Sequence, residues 1–139
     1  MIDIVVEKSS FDGIENFDAL SREHWMEFND REPKFNKQYF SICNVITAKK
    51  GVETIGYVFY FVVPSPCYNE IWCNVDMFFL KKQFRKNGIG KKMFALLEQQ
   101  AKEHGCKRIL SSFNLKGPLE DFYGKLGFKP THVAVSKEI

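Results

Sequence analysis

Polar and apolar positions along the chain set out an alternating series of strands and helices. Ile2, Ile4 and Val6 alternate with Asp3, Val5 and Glu7, the period of a strand, which Ser9-Ser10 ends. Asp12-Gly13 or the preceding serines then cap a helix through about Asn29, with Ile14, Phe17, Leu20 and Trp25 on its apolar side. Arg31-Glu32-Pro33 breaks it, Phe35 to Tyr39 reads as a short second helix, and Phe40 to Ala48 as a strand before the Lys49-Lys50-Gly51 turn. Thr54 to Val63 is rich in β-branched and aromatic residues, so it is a strand, and Gly56 within it marks a bulge or a close backbone approach. Pro64-Ser65-Pro66 ends that strand, and Ile71 to Leu80 forms the next, making a long hairpin.

The pattern changes period after Leu80. Ile89, Met93, Leu96, Leu97 and Ala101 recur at three- and four-residue steps and predict a helix from about Gly88 to Glu103, closed by His104-Gly105. Arg108 to Phe113 returns as a strand, so strand, helix and strand form a crossover of the parallel kind. Pro118 to Leu126 predicts a short helix, and Phe128 to Ser136 a last strand. The sum is a mixed α/β domain around a central sheet, mostly antiparallel in its first half.

Composition narrows the class. A chain of 139 residues without repeats or linkers fits one domain, 1–139, with one core. Its 14 Phe predict a core filled with aromatics. A formal charge of +3 is too small to imply nucleic acid by itself. No apolar run is long enough to span a bilayer, and the first residues lack the basic region and cleavage site of a signal peptide. Cys43, Cys67, Cys73 and Cys106 form no C-x-x-C pair, so neither a zinc site nor a disulfide framework is expected; a cytoplasmic, metal-free protein is.

The candidate chemistry begins at the basic turn Lys81 to Lys92. A strand, a glycine turn and a helix in that order aim backbone N–H groups and a helix N-terminus at one place, which attracts anions. A Walker A loop is absent, and the dinucleotide fingerprint fails because Met93 stands at the third glycine position after Gly88 and Gly90. Lys81, Lys82, Arg85, Lys86, Lys91 and Lys92 put six basic side chains within twelve residues. That density suits a diphosphate carrying a further phosphate.

The turn, as Arg85-x-x-Gly88-x-Gly90, resembles the Gln/Arg-x-x-Gly-x-Gly/Ala acetyl-coenzyme A motif of the GNAT superfamily of N-acetyltransferases. A second segment, Asn114 followed by Phe122-Tyr123-Gly124-Lys125-Leu126-Gly127-Phe128, is similar to that family's Asn … Phe-Tyr-x-x-x-Gly-Phe stretch. The resemblance covers Thr54 to Val135 well, and the first fifty residues only as a general plan. It implies a GNAT fold: a mixed, mostly antiparallel sheet of about six or seven strands, parallel strands 4 and 5 splayed apart, and helices on both faces. It implies that Arg85, Lys86, Asn87, Gly88, Ile89, Gly90 and Lys91 bind the pyrophosphate of acetyl-CoA as cosubstrate. Phe79-Leu80 then bonds the pantetheine arm, and Asn114 bonds that arm or orients the splay. Lys82 stands where the family often has Pro.

The implied reaction is attack of a neutral amine on a thioester, which calls for a general acid near the sulfur and a base near the amine. Tyr123 matches the family's tyrosine as the acid. Asp76 is the candidate base, and strand alternation places it on the face of Leu80 and Asn74; Asn74 is placed to hold a water that relays the proton. On the acceptor side, Glu23, His24, Trp25 and Glu27 and the hairpin from Val62 to Trp72 are the candidates, with His24 a second candidate base. The acceptor is an amine of a small molecule or a protein. The other readings are a GNAT-like module that binds an acyl-CoA or a partner protein without catalysis, and a nucleic-acid binder using the lysine patch. The patch is already explained by coenzyme A phosphates, and no stacking motif stands beside it. Val133 to Ile139 is expected to be able to pair with a second copy in a homodimer.

Overall fold

A computed structural model of the chain describes residues 1–7, 14–115 and 117–139. The elements run β1 (Ile2–Glu7), α1 (Phe17–Met26), α2 (Lys37–Phe40), β2 (Asn44–Lys50), β3 (Glu53–Pro64), β4 (Ile71–Leu80), α3 (Ile89–Glu103), β5 (Cys106–Leu110) and α4 (Leu119–Lys125). A 3-10 turn at Lys82–Phe84 stands between β4 and α3. The strands lie in sequence order in one open sheet, with β1 to β4 antiparallel and β4 and β5 parallel across the α3 crossover.

Alternation along the strands divides the core into two layers. Ile46, Ala48, Val58, Tyr60, Cys73, Val75 and Leu80 face α3, meeting Met93, Phe94 and Leu97, with Tyr123 of α4 in the same cluster. Val45, Tyr57, Phe59, Met77 and Phe79 face the other way, onto Phe17 and Leu20 of α1 and onto Phe40. The expected aromatic core is therefore present, and it is thickest on the α1 face, where Phe17, Tyr57, Phe59 and Phe79 meet edge to face or tilted.

Gly56 serves both predicted purposes. The register slips between Ala48 and Lys49, leaving Ile55 as the extra residue of β3. A Cβ on Gly56 would stand 2.8 Å from the Phe79 carbonyl oxygen and 3.3 Å from the Leu80 Cα, so only glycine lets the end of β4 lie this close.

Several expectations need correction. Asp12-Gly13 and the serines lie outside the described residues; α1 starts at Phe17 with Asn16 in its N-cap position at φ 50°. The Asn16 amide accepts from the Thr54 N–H at 3.4 Å and donates to the Thr54 carbonyl at 3.3 Å, tying the helix start to β3. Trp25 was expected on the apolar side but is 37% exposed, resting edge-on against Phe35. β5 runs from Cys106 to Leu110, not Arg108 to Phe113, because pairing with β4 ends at Leu110. The described sheet has five strands rather than six or seven, since residues 128–139 form no strand. Beyond Phe128, which packs against Phe94 and Tyr123, the large apolar members of that segment are left in solvent: Val133 is 75% and Val135 92% exposed. Pro130 within it removes a ladder donor, which argues against a paired strand.

Candidate active site

The site is organised by the parting of β4 and β5. Their pairing begins at Ile71 with Cys106 and ends at Asn74 with Leu110, while β4 continues to Leu80. A V-shaped gap therefore opens in the sheet above Asn74. Strand backbone along such a gap leaves N–H and C=O groups to be met by something else.

On the β4 side the apex carries a bulge. Phe59 pairs with Met77 and Tyr60 with Val75, so Asp76 is an extra residue without a partner on β3. The bulge reverses the alternation: Cys73 and Val75 face α3, but Met77 and Phe79 face α1. Simple alternation put Asp76 on the face of Leu80, and the structure corrects this. Asp76 lies on the α1–α2 face, where the Tyr39 hydroxyl donates to its Oδ2 at 2.9 Å, while Leu80 is buried on the opposite face. That bond, with some burial, raises the Tyr39 pKa, so the phenol stays a donor at neutral pH. Asn74 lies on the same α1–α2 face as Asp76, opposite Cys73 and Val75.

On the β5 side the chain leaves Leu110 and places Ser111 beside the Tyr123 hydroxyl, Oγ to Oη 2.6 Å. Tyr123 is 4% exposed, packed among Phe94, Phe113, Phe122 and Phe128. Burial pushes its phenol up to about 12, with the Ser111 hydrogen bond pulling the other way. It is protonated throughout the neutral range. Asn114 does not end the strand as expected. It lies beyond it, where its carbonyl accepts from the Gly117 N–H at 2.8 Å and its side faces an open cleft of about 640 Å³. Met26, Glu27, Phe28, Asn29 and Asp30 at the end of α1 form the opposite wall.

Arg85 closes the top of the gap. Its Nε donates to the Leu80 carbonyl at 2.7 Å, and its two terminal nitrogens reach both oxygens of Glu27 at 3.0 and 2.7 Å. The guanidinium also lies 5.4 Å from the centre of the Phe79 ring. Such a planar two-pronged pairing fixes geometry as well as charge. It ties the end of α1 to the end of β4 and occupies a Leu80 oxygen that was expected to be available to a ligand. His24, one turn earlier on α1, stacks on the other named neighbour, with its ring 4.8 Å from that of Phe79. Burial lowers its pKa to about 4, the nearby Arg85 acting in the same direction and Glu27 against it.

The glycine turn has the form expected of an anion site. Lys86 at φ 67° and Gly88 at φ 80° fold the loop back so that α3 starts at Ile89. The first α3 bond runs from the Lys92 N–H to the Gly88 carbonyl at 3.1 Å, leaving the N–H groups of residues 88–91 without a carbonyl partner inside the helix. Lys82, Lys86, Lys91 and Lys92 are exposed around it. Lys81 is drawn away, with its Nζ 3.0 Å from Glu53 and 3.8 Å from Glu23. The two glycines have different reasons. Gly88 has open space at its missing Cβ but needs its positive φ, whereas a Cβ on Gly90 would press on the Phe122 ring at 3.1 Å. Gly90 thus lets α3 pack on α4 rather than simply admitting a ligand.

The structure therefore brings Tyr123, Asp76 and the β4 end to one gap, with the Arg85–Lys91 loop at its head. Reading the sequence missed Ser111 and Tyr39, the direct partners of Tyr123 and Asp76. Neither stands in a motif, and only the fold brings them near. Among the described residues, no helix is long and apolar enough to cross a membrane.

The chain belongs to the Acetyltransferase (GNAT) family, whose model matches residues 12–128. Solved structures agree in fold. A ribosomal-protein-alanine N-acetyltransferase from Brucella melitensis superposes with a TM-score of 0.80 at 14% identity, covering 100% of this chain and 99% of that one. An aminoglycoside N-acetyltransferase solved in complex with CoA gives 0.77 at 16%, covering 100% and 95%. A glucosamine-6-phosphate N-acetyltransferase from Arabidopsis thaliana gives 0.76 at 14%, covering 99% and 98%. A search of curated proteins found no match.

Proposed function

We propose that the protein transfers the acetyl group of acetyl-CoA to a primary amine by direct attack. The observation that carries this reading is the apex of the gap, where the last β4–β5 pair, Asn74 with Leu110, stands between Asp76 on one side and the Ser111–Tyr123 pair on the other. A carboxylate and a protonated phenol thus flank one opening from opposite faces of the sheet. The residues fit acetyl-CoA on the structure's own terms. The unpaired N–H groups of residues 88–91 and the exposed Lys82, Lys86, Lys91 and Lys92 suit its phosphates. The unpaired strand edge above Asn74 suits its amide-bearing arm.

Acetyl-CoA supplies an activated acyl group and a thiolate leaving group. Asp76 takes the proton that the attacking nitrogen loses, with the Tyr39 hydroxyl holding the carboxylate in place. Tyr123 gives its proton to the departing sulfur as the C–N bond forms and the C–S bond breaks, and Ser111 holds the phenol on target. Solvent exchange returns the proton from Asp76 to Tyr123, so the cycle ends at amide and free thiol. His24, held neutral but bonded to Tyr57, supports Phe79 rather than acting as the base.

The test is thiol release from acetyl-CoA against a panel of small amines, polyamines and peptide amines. Turnover with any of them supports the reading. Saturable acetyl-CoA binding with no turnover across the panel favours the binding-module alternative.

A further inference from the structure

Below the gap, two rows of side chains cross the sheet on its α1–α2 face. The upper row runs Phe61, Asn74, Leu110 and the lower Val63, Trp72, Arg108, each with one residue from β3, β4 and β5 in register. Their neighbours Val62, Cys73 and Ile109 point the other way, into the core against α3. Phe61 packs at the margin of the α1-side core, but Val63, Trp72 and Leu110 belong to neither core and are only half-buried. An apolar strip left open in the middle of a sheet marks a binding surface. The lower row ends in a fixed cation. The Arg108 guanidinium lies 5.7 Å from the centre of the Trp72 ring, and the indole is held at its edge, where Nε1 donates to Glu70 at 2.6 Å. Arg108 is exposed, and among the described residues no carboxylate pairs with it. Tyr68 of the β3–β4 hairpin, its ring 6.3 Å from that of Trp72, stands at the end of the strip. From Asp76 to Trp72 the strip covers four residues of β4, about 13 Å of extended strand.

We infer that this strip holds the body of the acceptor, and that the acceptor is a small ω-amino carboxylate. Its apolar chain lies over Leu110, Val63 and Trp72, and its carboxylate ends on Arg108. The planar fork of a guanidinium matches a carboxylate with two parallel hydrogen bonds, and stacking on Trp72 holds the fork in place. An acceptor with a second cation at that end would meet Arg108 and be repelled. The hairpin bounds the strip at Tyr68, so its length suits a small molecule rather than a long peptide. The Tyr39 bond to Asp76 stays intact throughout, since the chain runs from Asp76 away from α2. The placement of the amine end rests on the proposed acetyl transfer, but the carboxylate end is separable from it.

The test measures Kd on the full chain by NMR chemical-shift titration with ω-aminooctanoate, octamethylenediamine and octanoate, in wild type and in Arg108→Glu. Arg108 is exposed, so the variant keeps the fold. Wild type should bind ω-aminooctanoate at least tenfold more tightly than octamethylenediamine, with the Trp72 indole signal shifting, and Arg108→Glu should reverse that order. Octanoate, which has no amine, should bind wild type and lose at least tenfold in Arg108→Glu. Equal affinity for the two amines in wild type, no saturable binding of ω-aminooctanoate, or an unchanged order in Arg108→Glu overturns the inference. So does a dimer in sedimentation that Trp72→Glu splits, because a second copy then covers the strip. If octanoate behaves as expected but no amine, ω-aminooctanoate included, is acetylated, the acetyl-transfer reading fails and the carboxylate subsite stands. If amines are acetylated but Arg108→Glu leaves their order unchanged, the subsite fails and the transfer reading stands.

Discussion

His24 Nδ1 lies 2.8 Å from the hydroxyl of Tyr57, a residue buried at the centre of the sheet's α1 face. A histidine so placed is neutral in the fold, and its pKa is lowered from 6.5 to about 4, chiefly by burial. The unfolded chain therefore binds a proton that the folded chain refuses. The stabilisation is fully present above pH 6.5 and is lost as pH falls through the folded value near 4. Its full size is on the order of 3 kcal/mol. Urea melts at pH 7, 5.5 and 4 should show a decline of that order, and His24→Gln, which keeps a partner for Tyr57, should flatten it.

The three functionally placed glycines should separate by mechanism. Gly56→Ala drives a Cβ against the Phe79 carbonyl at 2.8 Å, a backbone atom that cannot step aside. It should cost about 3 kcal/mol, the upper end of overpacking. Gly88→Ala meets nothing but must hold φ 80°, a cost of about 1–2 kcal/mol. Gly90→Ala presses on the half-buried Phe122 ring, which can shift, and alanine's better helix propensity of about 1 kcal/mol offsets much of that. Denaturant midpoints should rank Gly56→Ala as the least stable and Gly90→Ala closest to wild type.

Glu27→Gln should uncouple α1 from β4. The Glu27 side chain is 7% exposed and that of Arg85 27%, so the pair is largely shielded and removal of one charge strands the other. The expected loss is about 1–3 kcal/mol, the range for a charged group left without its partner. Because Arg85 also holds the Leu80 carbonyl, acetyl-CoA affinity should fall with it. A stability loss with affinity untouched would show that the clamp serves the fold alone.

Much of this architecture is legible in the sequence. β1 falls where alternation puts it, β4 spans the expected Ile71–Leu80, and Gly56 marked a bulge or a close approach, of which both are found. The glycine turn at Arg85–Gly90 was readable because strand, positive-φ turn and helix start follow each other locally. What stayed hidden depends on distant contacts. Asp76 was placed on the face of both Leu80 and Asn74, and only the second holds, because its bulge is set by register against Phe59 and Tyr60, which no local pattern records. A last strand was expected from Phe128 to Ser136, but whether a sheet edge is there to receive it is set by the rest of the fold. Ser111 and Tyr39 became part of the site only through the hydroxyls they meet at Tyr123 and Asp76.

The central claim is that Tyr123 and Asp76 act on one acetyl transfer from opposite faces of the sheet. Steady-state thiol release from acetyl-CoA, with the best amine of the panel at saturation, tests it most directly in wild type, Tyr123→Phe and Asp76→Asn. Removing either proton-transfer group should lower kcat by about 10²–10⁴-fold. Tyr123→Phe should also retain acetyl-CoA binding, since it deletes one oxygen from a packed ring. Wild-type kcat in Tyr123→Phe, or in Asp76→Asn, would contradict the account.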